Sequence, residues 1–173
     1  ILAHFGLKQL NGNPREGLLA MIQLSGLEPT HISIDDIVFK IGPRINAAGR
    51  MESGRIAVEL LTASNVEEAI RIGTEINEHN NERKNIDRRI TREALEMVES
   101  GGCLSSGKAT IVYNPQWHKG VVGIVASRLV EAFYKPTIVF TQSQGGLVTG
   151  SARSVHGFDL YDAIESCSDL LEN

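Results

Sequence analysis

The stretch SNVEEAIRIGTEINEHNNERKNIDRRITREALEMVE, residues 64–99, decides the fold. Ser64, Asn65, Val66 and Glu67 read as a capping box, the reciprocal bonding that opens helices. No Gly-Pro breaker follows until Gly101, and Gly73 is the one weak point. The reading is a single helix from about Asn65 to Glu99, about 50 Å long at 1.5 Å per residue. Val66, Ala69, Ile70, Ile72 and Ile76 make its first third apolar. Ile86, Ile90, Ala94, Leu95 and Val98 do the same for its last third. Residues 77–85 contain no apolar side chain. A helix polar all round at its middle bridges between domains. The domain boundary therefore falls inside this helix or just after it.

On the N-terminal side the pattern is helical. Asn13, Pro14, Arg15 and Glu16 read as a capped start, with a helix running to about Ser25 and stopping at Gly26. Ser33 to Ile45 reads as a second helix whose regularity Gly42-Pro43 breaks. Gly54 to Thr62 is a third. On the C-terminal side the period changes. Ala109–Tyr113 and Thr137–Thr141 are strands of β-branched and aromatic type. Gly120–Phe133 is a helix between them. Gln144, Gly145 and Gly146 form a turn into a third strand opening at Leu147–Thr149. Gly157–Leu171 is a last helix, with Asp159 as its cap. The order β-α-β-β-α predicts a small α/β domain.

Composition narrows the function classes. The chain has 173 residues, 42% hydrophobic and 22% charged, with a net charge of −4. That is ordinary for a globular protein, and it argues mildly against non-specific nucleic-acid binding while allowing a local basic patch. There is no long apolar run and no signal segment. Cys103 and Cys167 stand far apart, without metal or disulfide spacing, and read as packing residues in a reduced, cytoplasmic compartment. Ile1, rather than Met, opens in an apolar stretch, so the expectation is a piece of a longer chain, cut short after Asn173 as well.

Four motifs carry chemistry: IGPRINAAGR at 41–50, WHKGVVGIVASRL at 117–129, GSARS at 150–154 and GFDL at 157–160. In GSARS, Gly150 permits close backbone approach, Ser151 and Ser154 offer hydroxyls, and Arg153 offers a planar fork for a phosphate. A strand end with a solvated Arg153 is the plainer alternative. In the first motif Arg44 and Arg50 sit around the Gly-Pro break, where loop arginines suit phosphate contacts, with Asn46 between them. The alternative is a structural turn with arginines paired to carboxylates. In the second, Gly120 and Gly123 allow tight packing, and the first-turn N–H groups of the helix favour an anion. His118 is a DNA or phosphate contact, or a cap or packed, hydrogen-bonded histidine. Trp117 is a base-stacking platform or a core aromatic. Arg128 is a further candidate contact. Residues 83–92, with five basic side chains and one acidic, either track a DNA backbone or form a solvated helix face.

In this order, with a long helix between the first two, these motifs resemble the RecJ-type single-stranded-DNA exonucleases of the DHH phosphoesterase superfamily. The resemblance runs from about Gly6 to Leu171. It implies the C-terminal part of a DHH domain at 1–63, a connecting helix at 64–100 and a DHH-associated α/β domain with a mixed sheet at 101–173. It implies 5′→3′ digestion of single-stranded DNA in repair and recombination by the parent protein, with single-strand-binding protein or a helicase as further partners. It also implies that Ser151 and Arg153 hold a 5′-terminal phosphate. The family uses two Mn²⁺ or Mg²⁺ ions held by Asp and His residues, including an Asp-His-His triplet. This sequence departs there. Its six Asp are Asp35, Asp36, Asp87, Asp159, Asp162 and Asp169, and no Asp-His-His occurs. Two-metal hydrolysis needs a ligand cluster holding cations about 4 Å apart, so the chain by itself is expected to be inactive and to bind no metal. Two other readings are a phosphodiesterase of short oligonucleotides or cyclic dinucleotides, and a non-catalytic module that binds nucleic-acid ends. A family Gly-Gly-His motif, expected shortly after Leu171, is also missing from the sequence.

Overall fold

The computed structural model describes residues 1–51, 53–101, 107–143 and 145–171. The chain divides into two compact units, Ile1–Lys84 and Asn85–Asn173. The fold class read from the sequence is borne out: a helical N-terminal unit, one long helix, and a small α/β unit with a three-stranded mixed sheet.

The first unit contains α1 (Leu2–Gly12), α2 (Glu16–Leu24), α3 (Ile34–Asp36), α4 (Gly42–Met51), α5 (Arg55–Thr62) and the first part of α6 (Val66–Glu99). Its core is built from Met21, Ile22, Leu60, Ile72 and Ile76, all nearly inaccessible. The α6 contributions recur at Ala69, Ile72 and Ile76, one face of a 3.6-residue period. Gly73 is a packing residue rather than a weak point. A Cβ there would lie 2.8 Å from Leu24 Cδ1, so its absence lets α2 lie close. Gly17 plays the same part more severely, since a Cβ would stand 1.9 Å from the Leu60 carbonyl oxygen. Asn11 ties α1 to the chain before α3: its amide donates to the Ile32 carbonyl at 2.9 Å and accepts from the Ile32 N–H at 2.6 Å.

Several local readings need correcting. Helix α1 was not expected, because Ile1–Gly12 carries no capping signal and one buried residue, Leu10. Helix α2 begins at Glu16 with Arg15 at the cap and no side-chain cap bond, so Asn13 does not close a box. The α6 cap is Asn65, which accepts from the Glu68 N–H at 2.9 Å, one residue later than read. Gly42-Pro43 does not break the second helix. Ser33 and Asp36 form a full capping box, the chain widens into a π-helical turn at Ile37–Ile41, and α4 follows directly. Proline has no N–H and excludes the carbonyl four residues back. The wider turn, in which the Gly42 N–H reaches the Ile37 carbonyl, carries the helix up to that proline. Lys40 pairs with Asp36 at 2.7 Å, and hydrogen bonds from Lys40 and Ser33 hold the Asp36 carboxyl far below its ordinary range. The polar middle of α6 is not uniformly solvated, because Asn80 is fully buried.

The second unit follows the expected order: β1 (Thr110–Tyr113), α7 (Val122–Phe133), β2 (Thr137–Gln142), β3 (Val148–Arg153) and α8 (Leu160–Glu165). Strand β1 pairs parallel with β2, which pairs antiparallel with β3. A parallel pair needs a crossover, and α7 supplies it. Val112, Val139, Val121, Val125 and Leu129 make the core with Ile90 and Ala94 of α6. The turn into β3 has Gly145 and Gly146 at φ +98° and +86°, a backbone that favours glycine; Gln144, read as part of it, lies outside the described residues, as does Cys103. The last helix is shorter than read. Asp159 does cap it, accepting from the Asp162 N–H at 3.1 Å, but α8 ends at Glu165 and a 3₁₀ turn, Ser168–Leu170, follows. The sheet face away from α7 opens into an apolar groove lined by Ile111, Ile138, Phe140, Leu160, Ile164 and Leu170. No helix among the described residues is long and apolar enough to cross a membrane.

Candidate nucleic-acid interface

The β2–β3 register decides which face of the sheet carries the third motif. Val139 pairs with Ser151 and Thr137 with Arg153, so Ser151 and Arg153 share the face that Val139 and Thr137 bury beneath α7. Gly150 pairs with Phe140 on the opposite face. A Cβ at Gly150 would meet the Phe140 ring at 2.6 Å, so this glycine makes room for an aromatic across the strand pair rather than for a ligand.

On the α7 face, a small polar cluster forms. Arg153 Nε donates to Ser127 Oγ at 3.1 Å. Arg153 Nη1 donates to the Ala152 carbonyl at 2.7 Å and to Ser151 Oγ at 3.2 Å. A guanidinium has five N–H groups. Three are committed here, and the two on Nη2 have no partner among the described residues. Ser151 accepts from Arg153, so its own proton is left to donate. Among the described residues no carboxylate pairs with Arg153, so the cluster leaves three donors, the two N–H groups of Nη2 and the Ser151 hydroxyl, the chemistry of an anion site. Ser154 is occupied differently: its hydroxyl donates to the Phe158 carbonyl at 2.6 Å and stabilises the turn into α8.

The second motif splits between support and surface. Trp117 is buried, its Nε1 donates to Glu93 Oε2 at 2.8 Å, and it stands in the core rather than on a stacking face. Thr141 Oγ1 donates to the Trp117 carbonyl, fastening the same loop to β2. His118 is half-buried, and its Nδ1 accepts from the Gly120 N–H at 3.1 Å. That bond places the neutral ring's proton on Nε2, which can donate outward. Arg128 Nη2 donates to Asp87 Oδ2 at 2.8 Å, and Thr91 Oγ1 donates to the other Asp87 oxygen at 3.3 Å. The one acidic residue of the basic stretch 83–92 thus joins α6 to α7. Arg89 of that stretch meets Glu93 at 3.4 Å.

The first motif is helical rather than a loop: Ile41 ends the π turn, and residues 42–50 lie on α4. Asn46 and Arg50 are four residues apart, on one exposed stripe. Arg44 turns away from that stripe. Its Nε donates to Asn77 of α6 at 3.0 Å and its Nη1 to the Lys40 carbonyl at 2.6 Å. Partial burial lowers its pKa, though an arginine stays charged. The structure thus brings together Ser151 and Arg153 in one unit, and Asn46 and Arg50 in the other. Ser127, not singled out as a contact by the sequence, and Gly123, read there for tight packing, belong to the first group.

Among the described residues, no three His, Cys, Asp or Glu side chains converge on a position that could hold a metal ion. The described residues do not fit a divalent metal centre.

Residues 106–173 match the DHHA1 domain. The chain is 40% identical to the single-stranded-DNA-specific exonuclease RecJ of Bacillus subtilis over 172 residues, 99% of the chain and 22% of that protein. It is 36% identical to the RecJ of Escherichia coli over 98% of the chain and 30% of that protein. The crystal structure of RecJ from Thermus thermophilus in complex with Mn²⁺ superposes with a TM-score of 0.82 at 29% identity, over 97% of this chain and 24% of that one. A second crystal structure, exonuclease RecJ bound to manganese, gives 0.79 at 28% identity, over 96% of this chain and 40% of that one. The resemblance read from the motifs is borne out over nearly the whole chain. The chain spans less than a third of the length of these two curated relatives.

Proposed function

We propose that this chain, similar along nearly its whole length to the RecJ exonucleases, is the strand-gripping part of a metal-dependent 5′→3′ exonuclease that digests single-stranded DNA in repair and recombination. The observation that carries the reading is the Ser151–Arg153 cluster. It offers Nη2 of Arg153 and the Ser151 hydroxyl to one point, and three bonds fix the guanidinium before any ligand arrives. A terminal phosphate monoester carries more charge and more free oxygens than an internal diester. It therefore gains more from three convergent donors than an internal phosphate does. With Nε and Nη1 engaged, the clamp acts through Nη2 and Ser151, not through a two-nitrogen fork of Arg153 alone.

The remaining positions take graded parts in the same reading. Asn46 and Arg50 form an exposed stripe suited to the strand's backbone. His118 supplies an Nε2 donor. Arg128 contributes its uncommitted N–H groups while its Nη2 holds Asp87. Arg44 and Ser154 have donors committed within the fold and act by shaping the surfaces beside them. A divalent metal, such as the Mn²⁺ or Mg²⁺ in the related Thermus thermophilus RecJ crystal structures, is held on this reading by residues other than these. A cytoplasmic setting, and cooperation with single-strand-binding protein or a helicase, fit a repair nuclease.

The test is end discrimination by the full-length protein. Digestion of one labelled strand bearing a 5′-phosphate is compared with the same strand bearing a 5′-hydroxyl. The reading requires the phosphorylated strand to be the better substrate. Equal rates with both ends would remove the terminal-phosphate clamp from the account.

A further inference from the structure

The geometry points to Ser127 as the positioning residue of the anion clamp, and to Gly123 as the residue that leaves the clamp its room. This rests on the clamp proposed above and adds the α7 side of it.

Ser127 lies on α7, two residues before the core Leu129, and its hydroxyl has one proton. That proton goes to the Gly123 carbonyl at 3.1 Å, four residues back. Its oxygen is thereby turned to accept, and it accepts from Arg153 Nε at 3.1 Å. The direction of the chain of bonds is fixed: Arg153 Nε–H to Ser127, Ser127 O–H to Gly123. An exposed arginine has several rotamers of similar energy, and holding it in one costs entropy. The Nε bond meets that cost in the free protein and aims Nη2. Ser127 touches no ligand in this arrangement and acts through Arg153.

Gly123 stands directly beneath. A Cβ there would come 2.9 Å from Ser151 Oγ and 3.1 Å from Arg153 Nη2, the two groups that face a ligand. Both contacts are with side chains, not backbone, so an alanine would displace the clamp rather than part α7 from the sheet. The helix position needs no positive φ, so clearance alone explains the glycine.

The experiment measures, with the full-length protein and chelator present to prevent cutting, the affinity ratio for 5′-phosphorylated over 5′-hydroxyl strands of one sequence. Ser127→Ala should lower that ratio about three- to tenfold, the worth of one hydrogen bond. Ser127→Thr, which keeps a hydroxyl, should restore it. Gly123→Ala should lower the ratio while leaving the melting temperature within a few degrees. In an Arg153→Ala background, Ser127→Ala should have no further effect, because its target is gone. A full ratio in Ser127→Ala beside a lost ratio in Arg153→Ala overturns the role of Ser127 and leaves the clamp standing. An equal further loss in the Arg153→Ala background also overturns it, since Ser127 would then act elsewhere. A full ratio in Gly123→Ala overturns the clearance role. A full ratio in Arg153→Ala removes the clamp itself, and this inference with it.

Discussion

Asp87 and Arg128 form an ion pair of 2.8 Å between α6 and α7, with the carboxylate almost wholly buried and the guanidinium partly open to solvent. The pair changes what two sequence features mean. Asp87 is the acidic residue in a basic stretch that invites a DNA-tracking reading, and Arg128 ends a motif that invites the same. Each is first a partner of the other. Removing Arg128 leaves Asp87 buried with Thr91 alone.

Arg128→Ala should therefore destabilise the second unit by roughly 1–3 kcal/mol, the range for stranding a buried acceptor, discounted by the exposure of the guanidinium. Asp87→Ala should cost a similar amount. The double variant should cost less than the sum of the two. Denaturant unfolding followed by the fluorescence of Trp117, the single tryptophan, checks this. Strict additivity would mean that the pair contributes nothing, and Arg128 would return to being a ligand contact alone.

Gly17→Ala should be far more damaging. Its Cβ would fall 1.9 Å from a backbone oxygen of α5, which no rotamer change relieves. Pushing α2 from α5 exposes a core that includes Met21, Ile22 and Leu60, and a loss above about 4 kcal/mol belongs to that class of change. Helical circular dichroism against temperature should show the first unit melting early or not folding. A melting curve like that of the unchanged chain would contradict the α2–α5 contact.

The 173-residue chain alone should not cut DNA. The reason is the donor set: among the described residues no three metal-ligating side chains converge. Incubation with 5′-labelled single strands and Mn²⁺ over hours should leave the label intact. Cleavage that survives repeated purification would mean that a metal site forms from residues read here as structural.

Much of this architecture was legible before any coordinates. The long helix was visible because 34 residues run without a breaker and apolar positions recur at helical spacing. The β-α-β-β-α order was visible because β-branched runs alternate with helical ones. Less legible were features that depend on a neighbour in space. Gly73, Gly17 and Gly150 each look permissive in sequence, and each proves to be a contact with Leu24, Leu60 or Phe140. Pro43 looked like a break because sequence carries no sign of the π turn that accommodates it. Ser151 and Arg153 were legible as an anion motif from their residue types. Ser127 was not, because it sits on α7 and its partner Arg153 lies 26 residues away at the end of β3.

The clamp depends on Arg153, and end discrimination by an Arg153 variant is its sharpest test. In the full-length protein, kcat/KM is measured for a single strand with a 5′-phosphate and for the same strand with a 5′-hydroxyl, in the unchanged protein and in Arg153→Ala. A charge-assisted hydrogen bond contributes on the order of 1.5–3 kcal/mol, which is about ten- to a hundredfold in rate constant. The account predicts that Arg153→Ala loses about that factor on the phosphorylated strand and much less on the hydroxyl strand, so that the ratio between them collapses. An equal loss on both strands would make Arg153 a general backbone contact, and no loss on either would make it a surface charge; each result contradicts the clamp.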